Sequence, residues 1–507
     1  MTRLHRTALT LSEKIECAVR ALANQEEPEA ITDLSREFGL SRPTVYEVKD
    51  TACEVLKAHF EQSELGGQPV CVVVDEAQLR RTIVALRAMS PNALSAIEDM
   101  LPIIYPGVAP SFGKIQSITA RAEANATVFN AQADLSKIQA GALDELFSQG
   151  DPVLGGVDLD SGYLFGLSLR ASRSGADWAE VLRDAQAQGL DLSVVVKDAG
   201  LGIDAGVREV FPDAERRDDC FHALYEMNKV QRQLEQKAYA AIAHEYEEEQ
   251  KLGKIPAHDK PQRRKQKRQL AKARRDCCQA IERYERFAAA KKKAHEAMDY
   301  IDVKSGELRT GEQTQSMLEA AADEMQRIDH AKSKEVARYL RNRAPGLSLA
   351  MADLHTRLQA LFPLYTQDAV CLACLILYLV GVVRTRPGEP LPLNEQTRHL
   401  LGAFALLKDM LGDKTDELLE AVGALLEKHH RASSAIEGFN AALRPHLYVH
   451  KGVTQNFLEL FRAYYNLRTR RWGRHKGTSP HQCLTGSPVN DWLSLIGFPP
   501  SSAATVH

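Results

Sequence analysis

The segment at residues 192–222, LSVVVKDAGLGIDAGVREVFPDAERRDDCFH, constrains the fold of this 507-residue chain more than any other stretch. Its three consecutive valines predict a short buried strand. Asp198 ends that strand, two glycines turn the chain, and a helix is predicted from about residue 204 to 210, where a Phe-Pro pair stops it. A carboxylate therefore lies at the carboxyl end of a buried strand, where open α/β sheets collect ligands and metal ions.

Composition limits the class of protein. A chain of 507 residues exceeds one ordinary core, which predicts two to four domains. The net charge is only −3, so nucleic-acid binding would use local basic patches. Nine cysteines without framework spacing and no signal peptide predict reduced thiols in the cytoplasm. The uncharged run at 369–383 is shorter than the roughly 20 residues of a membrane span and predicts a buried helix instead.

The first 62 residues predict a helix-turn-helix DNA-binding domain. Ile15, Val19 and Leu22 share one helix face, and a second helical pair follows, with Gly39 at the turn and Ser41 as the cap. The face that would enter a major groove carries side chains of the second helix of that pair. These predicted DNA-binding residues are Arg42, Pro43, Thr44, Tyr46 and Lys49.

Residues 63–138 are predicted to form a helical connector. Gln68 to Val74 could be a strand, and two helices follow around a Pro/Gly turn between Tyr105 and Pro110. The second of these helices could complete another helix-turn-helix, with Ser111, Lys114 and Gln116 facing DNA. A helical pair packed on the next domain explains the pattern equally well.

From residue 139 the hydrophobic period changes to that of strands. The segment 139–225 predicts three strands, a helix and a fourth strand, with a turn at Asp160-Ser161-Gly162. This is the opening order of an RNase H-like sheet. Residues 226–428 are predicted to be a helical insertion, ending after the linker-like Pro387 to Pro392.

A basic run in the insertion predicts contact with DNA phosphates. Lys260 to Arg275 contains nine lysine or arginine residues and no acid, which is costly without a nearby polyanion. A solvated helix face is the alternative. The predicted contacts are Arg263, Arg264, Lys265, Lys267 and Arg268. Cys277 and Cys278 follow, but a Cys-Cys pair lacks the spacing of a zinc knuckle.

Residues 429–507 contain the most specific motif. The string Arg-x-Ser-Ser-x-Ile-Glu-x-x-Asn-x-x-Leu-Arg-Pro places Glu437, Asn440 and Arg444 on one helix face. A Lys-Gly pair, Tyr-Asn-x-Arg and Gly-Thr-Ser-Pro follow it. Together with the Asp198 segment and the helix-turn-helix, this block resembles the DDE transposases of bacterial insertion sequences and Mutator-like elements, over about two thirds of the chain.

The resemblance implies a multidomain α plus α/β protein, in which the helical insertion interrupts an RNase H-like mixed sheet. It also implies a DDE triad of Asp144, Asp198 and Glu437 that binds Mg²⁺ or Mn²⁺ and cuts and joins DNA ends. Asp158 and Asp160 compete with Asp144 for the first position, and the adjacent Glu145 is not excluded. His222 is interpreted as a hydrogen-bonded structural residue at the edge of the core rather than a base.

The partners implied by the resemblance are double-stranded DNA, both element ends and target, and further copies of the chain in a homodimer or higher oligomer. Arg444, Lys451 and Arg468 would contact the DNA backbone. Two alternatives remain open. One is a catalytically inactive, transposase-derived regulator that binds specific DNA, and the other is an RNase H-fold nuclease.

Overall fold

The computed structural model describes residues 9–23, 30–64, 74–198, 200–383, 392, 394–449 and 452–501. The chain divides into two compact units, Met1–Asp75 and Glu76–His507. The predicted strand at 68–74 and the predicted linker at 387–392 lie outside the described residues except for their last positions. Lys451 also lies outside them. The two units are described separately.

The described residues of the first unit form three helices, α1 (Leu11–Ala23), α2 (Ala30–Glu37) and α3 (Arg42–Glu64). Its core is formed by Cys17, Ala21, Ile31, Leu34, Leu40 and Val45. Gly39 has a φ of +66°, a conformation that glycine adopts readily, and it makes the predicted turn between α2 and α3. Ile15 and Val19, which share one face of α1, are 56% and 58% exposed. Helix α1 instead contributes Cys17 and Ala21 to the core.

The second unit opens with α4 (Glu76–Met89), α5 (Leu94–Ile104) and α6 (Phe112–Ala131), so the two predicted helices around the Pro/Gly turn are present. Ser111 caps α6 by accepting a hydrogen bond from the Lys114 amide. The Lys114 ammonium lies 2.7 Å from Glu76 in this connector. Asn130 of α6 donates to Glu459, which ties the helix to the body of the unit.

The strands follow in the predicted order: β1 (Ala140–Ser148), β2 (Asp151–Asp158), β3 (Leu164–Leu169), α7 (Gly175–Gln186), β4 (Val194–Lys197), α8 (Leu201–Val210) and β5 (Glu215–Asp218). They form one mixed sheet in the order β3-β2-β1-β4-β5. The first three strands are antiparallel, whereas β4 runs parallel to β1 and β5 parallel to β4. Since β4 pairs only with the first half of β1, its end lies beside the middle of β1.

A long helical region follows the sheet. It comprises α9 (Cys220–Lys254), α10 (Lys260–Ala297), α11 (Gly311–Gln326), α12 (Ala331–Gln359), α13 (Gln367–Val382), α14 (Glu395–Leu411), the 3₁₀ turn Gly412–Lys414 and α15 (Thr415–Glu427). The predicted buried helix at 369–383 is α13, which packs in the core of α12 to α15. No described helix is long and apolar enough to span a membrane.

The chain ends with α16 (Ser434–Val449), α17 (Gln455–Leu467), α18 (Pro480–Thr485) and α19 (Trp492–Leu495). One face of the sheet packs on α7 and α8 through Trp178, Leu182 and Ile203. The other face packs on α16 and α17 through Ile436, Phe439 and Phe461. Alternate residues of each strand point to opposite faces, so α16 covers the side of β1 that carries Ala142, Asp144 and Leu146.

The architecture is thus mostly helical, with one five-stranded mixed sheet between two helical layers.

Candidate metal centre

Asp144 lies in the middle of β1, beneath α16. Its Oδ2 accepts a 2.6 Å hydrogen bond from the amide of Asn440, and its Oδ1 accepts one of 2.8 Å from the Glu145 N–H. Opposite Asp144 in the sheet stands Gly155, where an added Cβ would lie 3.0 Å from the Phe439 ring. The missing side chain lets α16 approach closely enough for Asn440 to reach the carboxylate.

Glu145 points to the other face of the sheet. Its carboxylate accepts hydrogen bonds of 2.8 Å from Arg173 and 3.1 Å from the Trp178 indole. Because neighbouring strand residues alternate between faces, Glu145 cannot share a site with Asp144. It ties β1 to the layer of α7 instead.

Asp198 directly follows β4. The last pair of the parallel register joins Leu143 to Lys197, so the next residue of each strand, Asp144 and Asp198, lie side by side. A third residue joins them from the first turn of α9: one ligand atom each of Asp144, Asp198 and His222 lie within 4.8 Å of one another. Asp144 and Asp198, the two aspartates of the triad implied by the resemblance, lie together. His222 is a third possible ligand that the sequence analysis does not include.

His222 is held by Asp219. The Asp219 carboxylate accepts from the Phe221 amide at 2.8 Å, which caps α9, and lies 2.6 Å from His222 Nδ1. This contact turns Nε2 toward the other side chains of the site. The predicted hydrogen-bonded role of His222 is thus present, and the ring also belongs to the cluster. The signal in the sequence was an Asp and a His three residues apart at a helix start.

Glu437 approaches the cluster from the first turn of α16. Its Oε1 lies 3.9 Å from His222 Nε2, and its Oε2 lies 3.9 Å from the Arg444 guanidinium. Ser433, just before α16, donates its hydroxyl and its amide to Asp219, which joins the starts of α9 and α16. Glu437, Asn440 and Arg444 therefore share the helix face predicted for them, and that face lies over Asp144.

The site has unusual electrostatics. Burial raises the pKa of Asp144 to about 6, although hydrogen bonds from Glu145 and Asn440 oppose the shift. The hydrogen bond to Asp219 raises the pKa of His222 to about 9, and the negative charge of Asp198 adds to the shift. Burial raises the pKa of Asp219, but the bonds from His222 and Ser433 outweigh it and leave the pKa below its usual value.

The competing acids, Asp158 and Asp160, lie elsewhere. Asp158 pairs with Gly141, three residues from Asp144, or about 10 Å along the strand. Its carboxylate accepts from Ser161 and from the Asp160 amide, so it organises its own turn. The Asp160 carboxylate lies 3.3 Å from His430. Neither belongs to the group of possible metal ligands found among the described residues.

The residues predicted to touch DNA occupy three places. In the first unit, Arg42 and Pro43 are exposed, Tyr46 is 47% exposed, and the Lys49 ammonium lies 5.4 Å from the Tyr46 ring. The Thr44 amide donates to Ser41, so the predicted cap is present. Arg444 lies beside Glu437, as described above.

The basic run forms the first half of α10. Gln266, Leu270 and Ala273 face inward, and the exposed cations are Lys260, Arg264, Lys265, Lys267, Arg268, Lys272, Arg274 and Arg275. Arg263 is half-buried and donates to the Ile255 carbonyl. Acids of α9 compensate part of the charge, since Arg274 pairs with Glu245 and Glu249. Cys277, buried on the same helix, is in no described cluster of metal ligands.

No protein-family model matches the chain, and no curated protein matches it. Among solved structures, the chain is similar to one in the "Drosophila P element transposase strand transfer complex", with 10% sequence identity and a TM-score of 0.24. The match covers 86% of this chain and 96% of that one. A similarity with so low a TM-score does not establish a shared fold or a shared function.

Proposed function

We propose that the protein is a DDE-type DNA transposase of a bacterial insertion sequence, with Asp144, Asp198 and Glu437 as its catalytic carboxylates. One observation carries the proposal. Two carboxylates from neighbouring strands and His222 lie within 4.8 Å of one another, and the acid of the most specific sequence motif contacts that histidine. These residues are separated by up to 293 positions (437 − 144) along the chain.

The order of the elements supports an RNase H-like core. Along the chain, three antiparallel strands are followed by helix α7 and two parallel strands, and the five strands form one sheet. The helical region α9–α15 follows the last strand, β5. The chain returns at α16, on the face that carries Asp144. In this proposal residues 139–225 and 429–507 are two parts of one catalytic domain, 226–428 is its insertion, and 63–138 connects it to the helix-turn-helix domain of residues 1–62.

The side chains fit a hard divalent cation. Carboxylate oxygens suit Mg²⁺ or Mn²⁺, and the raised pKa of Asp144 reflects a buried negative charge that a cation would stabilise. Asp144, Asp198 and Glu437 would hold it. When bound, two such ions activate an attacking oxygen and stabilise a leaving oxygen in displacement at phosphorus, which serves both hydrolysis and strand transfer.

The other side chains have positioning roles in this proposal. Asn440 fixes the carboxylate plane of Asp144, and Asp219 fixes the ring of His222. With a pKa of about 9, His222 is a cation in the absence of metal and offsets the surrounding carboxylates. A proton on Nε2 could be donated to a phosphate oxygen or lost when the nitrogen becomes a ligand. Arg444, at the rim, would hold the DNA backbone.

DNA recognition is divided between two surfaces in this proposal. The exposed start of α3, with Arg42, Pro43, Thr44, Tyr46 and Lys49, would read the element ends in the major groove. The α10 cations Arg264, Lys265, Lys267 and Arg268, with Arg263 behind them, would contact phosphates without sequence preference. Lys451 belongs to the same proposal. Pairing of two ends requires a homodimer or higher oligomer on DNA.

The test replaces Glu437 with Gln. The change is nearly isosteric, but it removes a negative charge on which hard divalent cations depend. With Mg²⁺ supplied, Glu437→Gln should still shift end DNA in a gel and release no 3′-hydroxyl ends, whereas Glu420→Gln, at an exposed position of α15, should cut like the wild type. Retained cleavage by Glu437→Gln would remove Glu437 from the triad.

The same experiment addresses the alternatives. A wild-type protein that binds ends and never cuts them with Mg²⁺ or Mn²⁺ would be a transposase-derived regulator. One that cuts but never joins the cut ends to target DNA would be a nuclease on this fold. Both outcomes would refute the transposase proposal.

A further inference from the structure

The loop between α17 and α18 carries an exposed tryptophan among cations. Its sequence, residues 468–478, is RTRRWGRHKGT. Trp472 is 78% exposed, whereas Trp178 is fully buried in the sheet core and Trp492 packs 5.3 Å from the Tyr464 ring. An indole of this size usually gains its stabilisation by burial, whereas Trp472 is exposed among cations and outside any apolar cluster of the loop.

The loop is closed at its base. The Arg470 amide donates to the Thr478 carbonyl at 3.0 Å, and the Gly477 amide donates to the Arg470 carbonyl at 2.9 Å. Two further bonds brace the far side: Lys476 N–H to the Gly473 carbonyl and Thr478 N–H to the His475 carbonyl, both 3.2 Å. The backbone of residues 471–476 is therefore fixed before any partner arrives.

The loop is also anchored to the sheet. The half-buried Arg470 guanidinium donates to the Ser161 carbonyl, and the His475 ring lies 2.8 Å from the Asp160 carbonyl. Both contacts are with the β2–β3 turn. A loop held at this many points loses little conformational entropy when it binds, which favours recognition.

The charge around Trp472 selects the kind of partner. Arg471, Arg474 and Lys476 are exposed beside it. Arg474 pairs with Glu427 at 3.2 Å, and within the described residues Arg471 and Lys476 form no ion pair. The surface is one flat aromatic ring framed by cations, with no second large apolar side chain in the loop. A membrane-binding loop would need more apolar area.

We propose that residues 470–478, the Trp472 loop, bind nucleic acid outside the metal centre, with Trp472 stacking on an unpaired base and Arg471 and Lys476 contacting phosphates. Base–aromatic stacking tolerates any sequence, and the cations make binding salt-dependent. The loop is anchored at Asp160 and Ser161, in the turn after β2, whose last residue Asp158 pairs with Gly141, three residues from Asp144. It would hold a strand that the candidate metal centre does not touch.

The test uses the full chain in EDTA, so that the candidate metal centre does not contribute, and a fluorescein-labelled single-stranded 20-mer followed by anisotropy. Trp472→Ala should weaken binding roughly five- to thirtyfold, and Trp472→Phe should retain most of the affinity. Arg471→Gln with Lys476→Gln should flatten the log–log salt slope by about 1.4. Leu364→Ala is the matched control, because Leu364 is a 77% exposed apolar residue outside the loop.

Equal affinities for Trp472→Ala and Leu364→Ala would overturn the proposal. So would a Trp472→Ala variant that loses only sedimentation with phosphatidylserine vesicles and keeps DNA binding, since the loop would then be a membrane contact. Thermal melting checks that each variant folds. Because binding is measured without metal, failure of cleavage at the Asp144 site would leave this result unaffected.

Discussion

Two carboxylates on the β1–β2 pair, the half-buried Asp144 and the buried Asp158, are kept in place in different ways. Asp158 accepts its hydrogen bonds from Asp160 and Ser161, two and three residues away in the same turn. Asp144 accepts one bond from its neighbour and one from Asn440, 296 residues away, and it faces Asp198 and His222. Burial raises the pKa of both acids.

The difference separates a structural carboxylate from a candidate catalytic one. The carboxylate of Asp158 accepts its hydrogen bonds from residues of its own turn, so no distant segment is needed to hold it. Its oxygens are not directed at acids of other elements. The Asp144 site instead gathers acids from β1, β4 and α16, which is costly unless a cation compensates them. The partners of an acid therefore indicate its role better than the extent of its burial does.

The largest expected effect is on catalysis. Asp198→Asn should lower metal-dependent cleavage of end DNA on the order of 10³-fold or more, because it removes a negative charge that would hold the metal. Asp160→Asn, the matched change at the turn, should stay within about twofold, because its pair with His430 is partly exposed and worth little. Single-turnover cleavage assays measure both. Equal losses would erase the distinction between the two places.

The next effect is on stability. Asp158→Ala should lower the free energy of unfolding by about 2–3 kcal/mol, because it leaves the buried amide and hydroxyl of Ser161 without their acceptor. Asp144→Ala should cost less in metal-free buffer, since it also removes a buried charge. Urea titrations in EDTA give both values. If Asp144→Ala is the more damaging of the two, Asp144 is the structural acid.

A smaller effect concerns pH. The pKa of Asp144 is about 6 in the folded protein, above its ordinary value of 3.8, so its stabilising contribution is complete below about pH 4 and is lost as the pH rises through 6. Without metal, Asp144→Asn should therefore raise the free energy of unfolding at pH 7.5 by up to about 2–3 kcal/mol. The melting temperature should rise with it. The gain should vanish near pH 4. A gain that is independent of pH would mean that Asp144 ionises normally.

The local parts of this account could be predicted from sequence. Valines, an acid and a glycine turn predicted β4, Asp198 and α8, and the helical spacing predicted the shared face of Glu437, Asn440 and Arg444. The preference for Asp144 left Asp158, Asp160 and Glu145 as alternatives, because the choice depends on which face α16 covers and where β4 ends. Compensation of the α10 cations by α9 was equally hidden, since Glu245 and Glu249 lie on another helix.

Local patterns failed where tertiary contacts decide. Ile15 and Val19 have the spacing of a core face, yet Cys17 and Ala21 are buried in their place. The hydrogen-bonded role predicted for His222 is present, but its position beside Asp144 and Asp198 could not be predicted, because those acids lie on other elements. The contact of Asp219 with both His222 and Ser433 brings α9 and α16 together, and that contact spans 214 residues.

The central claim is that Asp144, Asp198 and Glu437 form one metal site, and calorimetric titration of the metal-free protein with Mn²⁺ tests it most directly. We predict saturable binding in the wild type that Asp144→Asn, Asp198→Asn and Glu437→Gln each weaken about tenfold or more, and that Asp160→Asn leaves unchanged. Undiminished binding in the three variants, or equal loss in Asp160→Asn, would contradict the claim.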